Sequence, residues 1–152
     1  MRRMEPRYLE DYTVGEIIRA GGVTLTEAEI IHFALTYDPQ PFHTNIVAAQ
    51  ESIYGGLIAS GWQVAVLAFK MLVQAGLVGA ASQGSPGLEN LRWIKPVRPG
   101  DTLYPFSKVA EVRPSKSKPD RGLVRMESWV ENQRGETVCS FVSTQLVRRR
   151  ET

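Results

Sequence analysis

The chain has 152 residues, 43% hydrophobic and 22% charged, with a formal net charge of +2. That composition supplies a packed core for a single domain over 1–152 and excludes disorder over most of the length. The charge is too small to direct the chain to nucleic acid, and the basic residues from Arg148 to Arg150 read as a solvated tail.

Arg2 and Arg3 are followed by Glu5, Pro6 and Arg7 rather than by an apolar run. No secretory signal is legible there, and a cytoplasmic location is expected. Cys139 is the only cysteine, which excludes an intrachain disulfide and a cysteine-built metal cluster. It reads as a small buried residue of a strand.

In chain order, the segment from Gly15 to Leu25 alternates apolar and turn residues around Gly21 and Gly22, which predicts short strands joined by a turn. Thr26 with Glu29 three residues on has the spacing of a capping box, so a first helix is expected from Ala28 to Tyr37. Pro39 and Pro41 end it, because the residue before a proline is pushed out of the helical region, and 38–42 is expected to be a loop. A short polar helix follows near Ile46 to Ser52. From Leu57 to Val78, opening at Gly55 and Gly56, the chain is apolar on nearly all sides, with Ser60, Gln63, Lys70 and Gln74 as one narrow polar stripe. Such a helix needs burial. A membrane span is excluded because Lys70 near a bilayer centre costs about 3 kcal/mol on insertion scales, and two glutamines and Gly76 add to that.

The second half supplies a sheet to bury the helix. A strand is expected near Leu88 to Ile94, ending at Pro96. Pro99 and Gly100 fit the central positions of a type II turn, and a strand resumes from Thr102 to Val112. Val124, Met126, Ser128 and Val130 alternate with Arg125, Glu127, Trp129 and Glu131, giving one core face and one largely polar face. A hairpin loop over Asn132 to Glu136 leads to a last strand from Thr137 to Val147. One long buried helix followed by long antiparallel strands is an α+β arrangement.

Asp38 and His43 share a segment stiffened by two prolines, and a carboxylate held near an imidazole is suited to proton transfer near neutral pH. The residues alone leave room for a capping aspartate and a structurally satisfied histidine. His32 falls inside the first helix and reads as structural, and two histidines in this arrangement give no metal-ligand spacing. Gly55 and Gly56, placed at the start of the long helix, offer backbone N–H groups as an oxyanion site, or equally a tight packing point. The basic run from Arg113 to Arg121, with Lys116 and Lys118, could receive phosphates or be a solvated hairpin tip.

Three segments together resemble the MaoC-like dehydratase and R-specific enoyl-CoA hydratase family. They are Asp38-Pro39-Gln40-Pro41-Phe42-His43, Tyr54-Gly55-Gly56-Leu57-Ile58-Ala59-Ser60-Gly61-Trp62, and Pro96-Val97-Arg98-Pro99-Gly100-Asp101-Thr102. The resemblance implies a hotdog fold, a long central helix wrapped by a curved antiparallel β-sheet, in a homodimer or a larger assembly of dimers with active sites at the interface. It implies an enoyl-CoA hydratase or 3-hydroxyacyl-CoA dehydratase in which Asp38 and His43 activate water, the Gly56 amide stabilises an enolate, and coenzyme A enters only as part of the substrate, with no other cofactor and no metal. Gly55, Ser60, Trp62, Arg113, Lys116 and Lys118 are the expected substrate-binding residues, and Leu57, Phe69 and Met71 are grouped with Trp62 as residues that line or merely support the acyl pocket. Gln40 departs from the family's asparagine, Gly55 from a histidine and Val64 from a serine, and the stretch from His43 to Gly56 is short. A non-catalytic acyl-CoA-binding module and a hotdog thioesterase are the competing readings.

Overall fold

Alternation in the second half of the chain becomes a curved antiparallel sheet in the computed structural model, which describes residues 3–151. After a single turn of 3-10 helix at Leu9–Asp11 come β1 (Ile17–Arg19), β2 (Val23–Thr24), α1 (Glu27–Tyr37), α2 (Pro41–Thr44), α3 (Ile46–Glu51), α4 (Gly61–Gln74), β3 (Leu88–Trp93), β4 (Thr102–Pro114), β5 (Arg121–Glu131) and β6 (Thr137–Arg148). The strands run in the order β1-β4-β5-β6-β3, with β2 also on β4. β1 and β2 thus pair with β4 rather than with each other, because β4 is long enough to receive both along one edge.

Inward-facing side chains of the sheet bury α4. Val64 and Ala68 of the helix pack with Leu103, Val130, Val138 and Phe141. Leu72, one turn further on, joins Val109, Val124, Met126 and Val147 in a second cluster. Each large aliphatic side chain taken out of water there contributes about 2 kcal/mol. Between the clusters runs a polar layer in which Ser128 Oγ donates to Ser107 Oγ at 2.9 Å.

The turn read at Pro99 and Gly100 has its expected form: the Asp101 N–H donates to the Arg98 carbonyl at 3.0 Å, and Gly100 has φ +89°. This is the positive dihedral that a type II turn needs and glycine tolerates.

Two expectations are corrected. The long helix does not open at Gly55 and Gly56; it begins at Gly61, and Ser60 is its N-cap. Nor is it buried all round, since Trp62, Val66 and Phe69 remain exposed on one face of the single chain. The sequence pattern records that this face is apolar but not what covers it. Among the described residues no helix is long and apolar enough to cross a membrane.

Candidate active site

Asp38 reaches its position because α1 stops there. The Thr26 side chain caps the start of α1 by accepting the Glu29 N–H at 3.2 Å, and Asp38 is the C-cap, where the backbone leaves the helix at φ −151° and ψ 70°. The segment behind it is not the expected loop throughout. Pro41 opens the short helix α2, a place where its missing N–H costs nothing. His43 rides on that helix, 4% exposed.

The two side chains meet, with His43 Nε2 lying 3.3 Å from Asp38 Oδ2. His43 Nδ1 lies 2.7 Å from the Ile58 carbonyl oxygen. A carbonyl can only accept, so Nδ1 carries a hydrogen and Nε2 is the ring nitrogen that faces Asp38. At 3.3 Å no atom fits between the two groups, and a water reaches both only from the cavity side.

Asp38 is held from both sides. Gln40 Nε2 donates to Oδ1 at 2.7 Å and Ser60 Oγ donates to Oδ2 at 2.7 Å. Burial by itself raises the Asp38 carboxyl, but the Ser60 and Gln40 hydrogen bonds and the neighbouring His43 outweigh it and hold the group below its ordinary value of 3.8. The carboxylate form is therefore the one this setting favours.

The pair opens on a cavity of about 500 Å³ whose walls include Phe42, Tyr54, Ile58, Val64, Trp93 and Val97. Gly61 and Trp62, the first residues of α4, also line it. The first amides of a helix have no intrahelical acceptor. Ser60 makes no side-chain cap, its hydroxyl being committed to Asp38, and Val64 is the first to find a partner, the Ser60 carbonyl at 3.2 Å. The amide end of α4, with its partial positive charge, thus adjoins the carboxylate–imidazole pair.

Several expected positions shift accordingly. Gly55 and Gly56 are not among the residues lining the cavity. Gly55 makes a turn at φ +64°, and a Cβ at Gly56 would come within 3.2 Å of Arg98 Nη1, whose guanidinium donates to the Tyr54 carbonyl. Gly61, rather than Gly55 or Gly56, lies in the cavity wall. Ser60, expected to bind substrate, is fully buried and bonds Asp38 instead.

Arg113, Lys116 and Lys118 sit at the tip between β4 and β5, where Pro114 pairs with Gly122, whereas the cavity lies by Val138 near the far end of β5 and β6. At 3.3 Å per residue these ends are on the order of 25 Å apart. Within one protomer the structure does not bring that basic tip to the site; Lys95 is the cation in the cavity wall. Among the described residues there is no group of three His, Cys, Asp or Glu able to hold a metal ion. The sequence reading missed Gly61 and Trp93, although a Ser-Gly pair directly before the apolar helix was a helix-start signal.

This geometry can be compared with known proteins. The family model for the MaoC like domain matches residues 12–132. The chain belongs to the MaoC-like domain family. Among solved structures, the MaoC-like dehydratase from Rhodospirillum rubrum is 39% identical, with TM-score 0.85 over 96% of this chain and 99% of that one. The R-hydratase PhaJ1 from Pseudomonas aeruginosa is 25% identical, with TM-score 0.74 over 95% of this chain and 86% of that one. Among curated relatives, the Bacillus subtilis protein YdeM is 27% identical over 110 residues, 72% of this chain and 78% of that protein. The mesaconyl-CoA hydratase of Cereibacter sphaeroides is 43% identical over 61 residues, which are 40% of this chain and only 18% of that protein. The hotdog α+β fold is common to this MaoC-like chain and its hydratase neighbours.

Proposed function

We propose that this chain adds water across the 2,3 double bond of an enoyl thioester of coenzyme A, and catalyses the reverse dehydration. The observation that carries the reading is the Asp38 carboxylate facing His43 Nε2 across 3.3 Å beside the free amides of α4. A water on the cavity side of the pair is held within reach of both. As its oxygen forms the bond to C3, its proton passes to His43 Nε2, and the C2–C3 electron pair moves to give an enolate. The Gly61 and Trp62 amides take the negative thioester oxygen. Protonated His43 then delivers its proton to C2, which leaves H and OH added and the imidazole neutral again. Asp38 orients the water and stabilises the imidazolium in between.

The names of the hydratase relatives support this reaction class. The exposed apolar face of α4, together with Leu88 and Trp93 on the unpaired edge of β3, supports a homodimer in which a second copy covers that face.

Mass analysis of the products from trans-2-enoyl-CoA separates the readings. Gain of one water is the expected outcome, with none in the Asp38→Asn protein. Release of free coenzyme A would instead make the chain a thioesterase, and tight binding with no new product would make it an acyl-CoA-binding module.

A further inference from the structure

We propose that the Trp62 indole is the end wall of the acyl site and restricts this chain to short enoyl thioesters; the inference rests on the hydratase reading above. Two cavities flank the start of α4. The first, of about 500 Å³, contains Asp38 and His43. The second, of about 330 Å³, lies along the exposed face of α4 and is bounded by Ala65, Val66, Phe69, Leu91 and Phe141. Trp62 is the residue that lines both.

Its ring is fixed from the side. Trp93 meets it edge to face at 5.2 Å with the planes at 73°. Trp93 is itself seated on the helix start, so close that a Cβ at Gly61 would fall 2.3 Å from the indole. A swing of Trp62 toward the β3 edge therefore meets the Trp93 ring.

The chemistry of the walls gives the direction of the acyl chain. With the thioester oxygen on the α4 amides and C3 at the Asp38–His43 pair, an apolar tail avoids Gln40 and Lys95 in the wall of the first cavity. Trp62, shared by both cavities, leads to the second, whose lining is apolar apart from Ser85 and Gln145. A short acyl chain ends against Trp62. A longer one would need the space behind it, which the ring closes off.

The test is the ratio of kcat/KM for the ten-carbon and four-carbon trans-2-enoyl-CoA esters in wild type and in Trp62→Ala, with Trp62→Leu as a second variant should the first fold poorly. A ratio within one protein cancels any general loss of activity. Wild type should favour the four-carbon ester, and the ratio should rise about tenfold or more in the variant, since each methylene admitted from water is worth about fourfold. Equal ratios in wild type and variant, or a wild type indifferent to length, would overturn the proposal. Calorimetric binding of the matching saturated acyl-CoA esters reads the same step without turnover. A length step in binding without hydration therefore overturns the hydratase reading alone, and hydration without a length step overturns the wall alone.

Discussion

Asp38 stays charged in a half-enclosed site because each of its oxygens has a donor, Gln40 on one and Ser60 on the other. Replacing Ser60 by alanine leaves Oδ2 short of a partner, and a hydrogen bond to a charged group is worth about 1.5–3 kcal/mol. The expected loss in kcat is roughly tenfold to a hundredfold, with Ser60→Thr retaining most of the activity. The sign of the pH effect follows from the depressed carboxyl. Its contribution is complete above the ordinary value of 3.8 and is lost as pH falls through the lower, folded value. Removing the Ser60 donor therefore moves the acid limb of the pH–rate profile upward, and an unmoved limb would show that Ser60 does not set the charge of Asp38. Tyr12 carries the opposite case. Burial pushes its phenol up to about 12, and its hydroxyl donates to the Leu77 carbonyl at 2.9 Å. The neutral form contributes fully below the ordinary value of 10.0 and that contribution is lost as pH climbs toward 12. Alkaline unfolding followed by circular dichroism should accordingly lose much of its pH dependence in that window in Tyr12→Phe.

At the scale of the element, α4 is where reading and structure diverge. Hydrophobic periodicity recognised the helix, because a run of apolar residues on more than one face has few other solutions, but periodicity does not mark the first residue. Leu57 to Ser60 are as apolar as the helix that follows and belong to it in pattern, while in the structure they precede its N-cap. The boundary is marked by the non-helical backbone of Ser60, at φ −57° and ψ 136°, and not by a side-chain cap. The helix start expected at Gly55 and Gly56 therefore lies at Gly61, which lines the cavity. The α1 boundary and the 99–100 turn were legible because capping, proline and positive-φ requirements are local. The meeting of Ser60 with Asp38 was not legible, since it joins residues from different elements. Gly61 gives this boundary a direct test: Gly61→Ala drives a methyl into Trp93 and should lower stability by about 1–3 kcal/mol. Trp93→Ala in the same chain should recover part of the loss, which thermal unfolding of the three variants would measure.

Across the whole molecule the sheet has two unlike sides. Its inner face seals Cys139 completely, where burial pushes the thiol up to about 11. The native protein should resist thiol-directed reagents at neutral pH and react only on unfolding. The outer face of α4, with Leu88 and Trp93 at the two ends of β3, is apolar and exposed, and this is the surface proposed above to be covered by a second copy. Val66→Asp should shift the mass measured by light scattering from dimer to monomer, and an unchanged mass would remove α4 from the interface. The central claim is that Asp38 and His43 act as one unit on an enoyl thioester. The most direct test is the loss of enoyl absorbance from trans-2-enoyl-CoA in wild type, Asp38→Asn, His43→Ala and the double variant. Activity in wild type with all three variants at the same low floor is the expected result, since groups acting together are not additive. Variants that keep turnover, or losses that multiply independently, would contradict it.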